Sequence, residues 1–475
     1  MPVFNEIPEN QRLSIFSTEL RARAGIASNP GFKVLLVGSG TQNVPISRIE
    51  NLSSAENIFG KNQIYDMAKE FFELESQVEL FGIQRTIAGG TASSVAVTFS
   101  GTSTSAGVLA IYINDKRLAI PIANGRASAD VASDVKDFID SSDLNFTTTA
   151  VGSVLTITNT YVGNYEVFVS FNKFSTDVAI PGITQTAAPT AGTGSISYSN
   201  IVSNLDDQHY NLVVSPDSLK TTIDPLIAEM DNRFSADNQL EGMILICKID
   251  TFSNLGTLGR SYNSQFVSLL GINGVETPSH LLAAAAASVW SNSLFSDPAR
   301  PLATLNLGSL ASPSAENQFS KSEQNSLLFS GVTPLSVNAN SQLVFVNTIS
   351  TYRTNDQGQI DISFLNVNYF FTYSRLRQEW NGKLLRTYPR YKIVSDDSRP
   401  NPGQEVVSPS QVLSLFSSEA RRWEGLAWIQ NSDELIRNST AEINSLNPNR
   451  IDLFVSVKIV GQLEIIASLL TVRLI

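Results

Sequence analysis

The sequence predicts an α+β multidomain protein: a split α/β core, a small β-rich domain inserted into it, a C-terminal α/β domain, and extended arms at both ends. Three observations carry this. An α/β pattern opens at Phe32, breaks off near Ala88 and resumes at Tyr210. Two small-residue stretches, Ala88-Gly-Gly-Thr-Ala-Ser-Ser94 and Thr184-Gln-Thr-Ala-Ala-Pro-Thr-Ala-Gly-Thr-Gly194, read as linkers and bracket a strand-rich module. The stretch 451–475 is strongly apolar with strand periodicity.

Taken in order, residues 1–27 hold Pro2, Pro8 and the run Arg21-Ala-Arg23-Ala-Gly25 without sustained period, and read as an arm. Phe32-Lys-Val-Leu-Leu-Val-Gly38 reads as a buried strand ending in a glycine turn. Ser53 and Glu56 form a capping-box pattern, and Ile58, Ile64, Met67, Ala68, Phe71 and Phe72 give one helical stripe to about Leu74. The inserted domain, 91–198, shows strands at 95–99, 108–113, 117–122, 154–158 and 166–171, with a tight turn at Asn114-Asp115. One helix, 129–140, presents Val131, Val135, Phe138 and Ile139 on one face.

The α/β pattern resumes with a strand at 210–214, a helix from Leu219 to about Phe234, a strand around Ile246 and a helix ending at Trp290, so the first domain comprises 28–90 and 199–296. The C-terminal domain, 297–448, reads as strands at 343–349 and 364–371, a Pro-rich loop at 399–403, a helix at 409–423 and a strand at 426–429. In 449–475, Ile451, Leu453, Val455, Val457 and Ile459 alternate with polar residues on one strand. After Gly461, Ile466, Leu470, Val472 and Leu474 face one way and Ile465, Ala467 and Leu469 the other. Burying such side chains is worth roughly 1.5–3 kcal/mol each, whereas an isolated two-stranded ribbon is marginal. These strands therefore need a sheet, their own domain's or a neighbour's.

Composition excludes several function classes. The balance of 33 Lys+Arg against 44 Asp+Glu, net −11, repels nucleic acid and anionic membrane. The longest apolar run, 281–290, is too short to cross a bilayer, and no basic start precedes an apolar stretch at the N-terminus. The single cysteine, Cys247, forms no internal disulfide and sits in a buried-strand pattern, which fits a reducing cytoplasm. The two histidines, His209 and His280, have no second His or Cys nearby, so a zinc site has too few ligands and structural roles are expected. Val37-Gly-Ser-Gly40 lacks the third glycine of a dinucleotide loop. The two Ser-x-x-Lys matches, at Ser133 and Ser170, lack the flanking motifs of a serine hydrolase. Asp396-Asp397 is the nearest approach to a metal pair, but Arg399 or solvent accounts for it. The expectation is a non-enzyme without catalytic residues, metal or cofactor.

Several stretches, in order along the chain, resemble the contractile-tail sheath protein of Mu-like bacteriophages. They are Phe4-Asn-Glu-Ile-Pro8, Asp297-Pro-Ala-Arg-Pro-Leu302 with Thr304-Leu305, and Ser322-Glu-Gln-Asn-Ser-Leu-Leu328 with Gly331. Further along come Thr348-Ile-Ser-Thr-Tyr352 with Asn355, Gly358 and Asp361, and Tyr388-Pro-Arg390 with Lys392, Asp396, Asp397, Gly403 and Gln404. The last is Asn449-Arg-Ile-Asp452 with Val460, Gln462 and Leu463, where Gly461 stands in place of the usual asparagine.

The resemblance implies a sheath subunit of a virion tail, made and assembled in the host bacterial cytoplasm. Its partners would be itself, in stacked hexameric rings and a helical polymer, together with the tail tube protein and the baseplate and tail terminator proteins. It implies contraction by rigid-body movement of subunits that stay linked, their arms donating strands to neighbours through Phe4, Ile7, Ile451, Leu453, Val455, Val457, Ile459, Ile466, Leu470, Val472 and Leu474. By the same analogy the inserted domain faces outward, and the helix 409–423 with Trp423 and Glu424 lies nearer the tube. A tailocin sheath would read the same way. A different class, a β-rich carbohydrate-binding adhesin, would need Tyr112, Tyr161 and Tyr165 exposed, against strand packing as the plainer role of these tyrosines.

Overall fold

The structure is a computed structural model and describes residues 31–74 and 76–469. The apolar run after Phe32 forms β1 (Lys33–Ser39), followed by the edge strand β2 (Val44–Ile49). Two helices follow rather than one, α1 (Leu52–Phe59) and α2 (Gln63–Glu73). Asn51 caps α1 and shares the capping box with Ser54, two residues ahead of the expected Ser53–Glu56 pair. Gly60 at φ 76° ends α1, and the Asn62 side chain caps α2 by accepting from Ile64 N. The apolar stripe continues across this break, which is why the periodicity reads as a single helix. β3 (Glu79–Arg85) then pairs with β1 in parallel and with β2 antiparallel.

The insertion comprises β4 (Ser94–Gly101), β5 (Gly107–Ile113), β6 (Lys116–Ile122), α3 (Ser128–Asp140), β7 (Phe146–Val151), β8 (Val154–Asn159), β9 (Val169–Phe171) and β10 (Ile183–Thr190). They form an antiparallel sheet ordered β10-β4-β8-β7 and a second ordered β6-β5-β9. The turn Asn114-Asp115 has positive φ at both residues (47° and 65°), as a tight hairpin of β5 and β6 requires. The stretch expected to be the second linker is largely β10, paired with β4 from Ile183↔Gly101 to Thr190↔Ser94. Its Thr, Ala and Pro composition resembles a linker, yet it sits at the sheet's edge, where Pro189 is tolerated. Val97, Phe99, Ile111, Val135, Leu155 and Ile157 close a core of its own.

The core sheet resumes after α4 (Tyr198–Val202) with β11 (Leu212–Val214), α5 (Lys220–Phe234), β12 (Met243–Ile249), α6 (Phe252–Ser261), β13 (Val267–Ile272) and α7 (Ser279–Ser296). After α8 (Lys321–Phe329) come β14 (Thr333–Val337) and β15 (Leu343–Phe345). The eight strands run in the order β15-β14-β13-β12-β11-β1-β3-β2, parallel except for the two edges. Near-continuous apolar strands such as Met243-Ile-Leu-Ile fit a sheet covered on both faces. The alanine run of α7 is buried on almost every side and packs on α2 and the strands. Cys247 is buried in β12, where its thiol resists ionisation.

Beyond the sheet the order is α9 (Val367–Thr387), β16 (Lys392–Ile393), β17 (Val406–Val407), α10 (Pro409–Gly425), α11 (Ser432–Asn438), β18 (Thr440–Ile443) and β19 (Ile451–Phe454). Two strand expectations fail here. The run at 343–349 is strand only to Phe345, and of 364–371 the first three residues are turn and N-cap and the rest, from Val367, open α9. The Asn366 side chain caps α9, and Val367, Phe370 and Phe371 bury at i, i+3 and i+4, so burial outweighs the strand preference of the aromatics. The stretch 426–429 forms no strand, only a single bridge from Ile429 to Ile459.

Candidate assembly surface

The C-terminal segment rests on a compact cluster of aromatic and charged side chains. Phe416, Ala420 and Trp423 line one face of α10, while Leu376 and Trp380 approach from α9. Trp380 and Phe416 meet edge to face at 5.4 Å between ring centroids, and Phe416 meets Trp423 at 6.0 Å. The Glu379 carboxylate accepts from Arg375 Nε (3.0 Å) and Trp423 Nε1 (3.0 Å), and it also pairs with Arg422. Glu419, 5% exposed, pairs with Lys383 Nζ (2.8 Å) and Arg422 Nε (2.8 Å). Burial opposes its charge, but the two cations outweigh burial and hold its carboxyl below the usual range. Helices α9 and α10 are thus clamped by ion pairs around an aromatic centre.

On this base the chain folds back as the hairpin of β18 and β19, with Ile443↔Ile451 and Thr440↔Phe454 in register. The expected strand at 451–459 is regular only to Phe454, and its one fully buried position is Asp452 rather than one of the alternating aliphatics. Asp452 is buried and accepts from Arg450 Nε (2.5 Å) and Asn444 Nδ2 (2.8 Å), while Ile451, Leu453, Val457 and Ile459 are half-buried and Val455 is exposed. A paired, fully hydrogen-bonded carboxylate takes the interior position that an unpaired one could not hold. Leu453, Val457 and Val460 touch the aromatic cluster from outside.

The tail is then pinned by backbone bonds from Gln430 N to Lys458 O (2.9 Å) and from Val460 N to Trp428 O (3.2 Å). Gln462 Nε2 donates to Ala299 O (2.7 Å), and Trp428 Nε1 donates to Asp297 Oδ1 (3.1 Å). The Asp297–Leu302 segment is itself held by Asn368 Nδ2, which donates to Pro298 O (2.9 Å) and Arg300 O (2.7 Å). Segments far apart in sequence that carry the family likeness therefore meet at one place. Trp428, Asn368 and Glu379 hold that meeting together; little in their local sequence distinguishes them, because the partners they reach on other elements lie 43 to 131 residues away.

Past Gln462 the tail keeps one exposed side-chain bond, Asn347 Nδ2 donating to Glu464 Oε1 (3.1 Å). Residues 461–469 contain no strand, and Leu463, Ile465, Ile466 and Leu469 are 72%, 83%, 76% and 92% exposed. The second expected strand does not form within the described part of this chain, where none of its residues has a ladder partner. Of the remaining linking candidates, Phe4, Ile7, Leu470, Val472 and Leu474 lie outside the described residues.

Other singled-out residues have structural roles. Lys392 Nζ donates to Gln404 Oε1 (2.8 Å), and Tyr352 OH donates to Asp361 Oδ2 (2.7 Å). Asp396 accepts from Ser410 N (3.0 Å) at the start of α10. Gly38 lies against α2, where an added Cβ would fall 2.5 Å from Ile64 Cγ1, so the Gly-Ser-Gly turn serves packing. His209 meets the Glu241 carbonyl at 2.6 Å. His280 is buried between Tyr161 and Tyr165, with Nε2 3.1 Å from Tyr161 OH, and burial pulls its pKa down to about 4. Tyr112, Tyr161 and Tyr165 are 3%, 2% and 2% exposed. This removes the aromatic surface on which the adhesin reading depended. Among the described residues, no group of His, Cys, Asp and Glu is arranged to hold a metal ion, and no helix is long and apolar enough to cross a membrane.

The site is thus a multidomain α+β scaffold with an uncovered apolar segment joined to its body through the motif segments. Residues 191–351 match the family model described as the phage tail sheath protein central domain. Over 98% of both chains it is 27% identical to the Mu-like prophage FluMu tail sheath protein of Haemophilus influenzae. Solved structures similar to it include the sheath tail protein of Desulfitobacterium hafniense, at 10% identity and TM-score 0.45, covering 93% of this chain and 99% of that one. The helical sheath of the anti-feeding prophage in its contracted state is similar at 10% identity and TM-score 0.48, covering 95% and 97%.

Proposed function

We propose that this protein is the structural subunit of a contractile tail sheath, polymerising around a tail tube and shortening to drive the tube through the host envelope. The end-to-end likeness to the FluMu tail sheath protein carries this reading, because it spans both chains almost completely. In this account the chain divides into arms at 1–27 and 449–475, a split core at 28–90 and 199–296, an outward-facing insertion at 91–198 and a tube-proximal domain at 297–448. The subunits stack as hexameric rings, engage tube, baseplate and terminator proteins, and assemble in the host cytoplasm. The exposed aliphatics at 463–469 supply the link, by entering a neighbour's sheet where backbone bonds give connection and side-chain pockets give register. Sliding of rigid bodies with these links intact converts a long, metastable packing into a short, stable one.

Negative-stain electron microscopy of the purified, concentrated chain tests the reading. Striated hollow tubes or stacked rings are expected; monomers that persist even with tube protein added would contradict it.

A further inference from the structure

A second feature of the molecule lies apart from the tail linkage. Arg85 is the last residue of β3, at the carboxyl end of the core sheet and beside its edge strand β2. The residue is 7% exposed, yet among the described residues its guanidinium donates only through Nη1, to Val44 O (2.8 Å) and Gln84 O (2.8 Å). Burial alone shifts its proton affinity, downward; no charged group contributes. The other buried arginines are paired: Arg233 with Glu229 and Arg450 with Asp452. Arg85 instead lines an open polar pocket of about 330 Å³ with Asn43, Pro45, Asn200, Ser203 and Asn204. A desolvated guanidinium without a counter-ion is costly, and its planar fork matches a carboxylate in bidentate geometry.

We propose that the Arg85 pocket receives an aspartate or glutamate side chain of a second copy of this chain in the assembled polymer. Charge argues for that occupant. At net −11 each copy carries carboxylates in surplus of cations, and packing such copies together requires cations held ready for a neighbour's acid. The pocket's rim of three asparagines and one serine adds hydrogen bonds without a competing charge. The proposal rests on the polymer reading above.

Carbodiimide coupling of Arg85→Lys polymers, formed from an equal mixture of light and ¹⁵N-labelled chains, tests it by mass spectrometry. The Lys116–Glu70 contact at 3.3 Å provides an internal coupling control. The expected result is a mixed-isotope cross-link from residue 85 to an Asp or Glu, absent from dissociated chains. Polymers that yield the control link without it, or a link within one chain only, overturn the proposal; failure of the wild-type chain to polymerise overturns the sheath reading as well.

Should Arg85→Lys fail to assemble, Asn204→Asp supplies a competing carboxylate from within the chain. It should raise the concentration needed for assembly about tenfold while Asn204→Ala does not. Equal assembly of both variants contradicts the proposal. Saturable thermal stabilisation of the unassembled wild-type chain by millimolar inorganic phosphate, lost in Arg85→Lys, would assign the pocket to a free small anion instead.

Discussion

The insertion and the C-terminal tail are both built from short apolar strands, but they satisfy them differently. In the insertion β4 has partners on both sides, Val97 and Ile157 are fully buried, and α3 covers the core. Its seam with the core is tied on this chain as well, by Lys61 and Lys69 to Asp143, Lys116 to Glu70 and Asn145 to Asp66. The tail makes one short hairpin, lies across the aromatic cluster as far as Gln462, and then leaves its aliphatics in solvent. The insertion is thus a self-sufficient unit, whereas the tail is half a unit. An exposed apolar segment of this kind marks an interaction site.

The largest effect that would sharpen this contrast comes from deleting 451–475. The structure places part of that segment in the protein's own body, since Asp452 neutralises buried Arg450 and Leu453, Val457 and Val460 cover the cluster. Losing one partner of a buried pair costs about 3–5 kcal/mol, and the lost packing adds to it. Thermal or urea unfolding should therefore show a strongly destabilised C-terminal region, and an unchanged unfolding curve would show that the hairpin contributes nothing.

Phe99→Ala in the insertion should cost about 3–5 kcal/mol. If the insertion is self-sufficient, hydrogen exchange will show the loss confined to 94–190 while assembly persists. Loss of assembly with it would couple the two regions.

A smaller effect lies at their seam. Burial raises the Asp66 carboxyl to about 7, the Asn145 bond opposing the shift. The folded state therefore keeps a proton that the unfolded state releases, and stability falls as pH rises from about 4 to about 7. Asp66→Asn should stabilise by roughly 1–2 kcal/mol at pH 8, discounted for partial solvent access, and by nothing near pH 4. An equal effect at both pH values would refute this assignment.

Legibility in the sequence followed the range of the interactions. β1, β5, β6, α3, α5 and α10 are set by local periodicity and turn chemistry, and all are readable from their own residues. The helices α1 and α2 read as one because the three-residue break from Gly60 to the Asn62 cap preserves the stripe. β10 is hidden because its identity as a strand comes from β4, 82 to 96 residues away along the ladder, rather than from its Thr and Ala composition. The inward turn of Asp452 was equally unreadable, since it depends on Arg450 and Asn444 closing around it. The apolar surplus of 463–469 was legible at once, because nothing nearby offsets it.

The most direct test of the central claim is to compare the full chain with a deletion of 463–475, pairing electron microscopy with thermal unfolding. That cut removes the exposed aliphatics but spares Asp452, Val460 and Gln462. The account predicts stability within about 0.5 kcal/mol of the full chain, as for surface changes generally, with tubes from the full chain and none from the truncated one. Tubes from the truncated chain would contradict it.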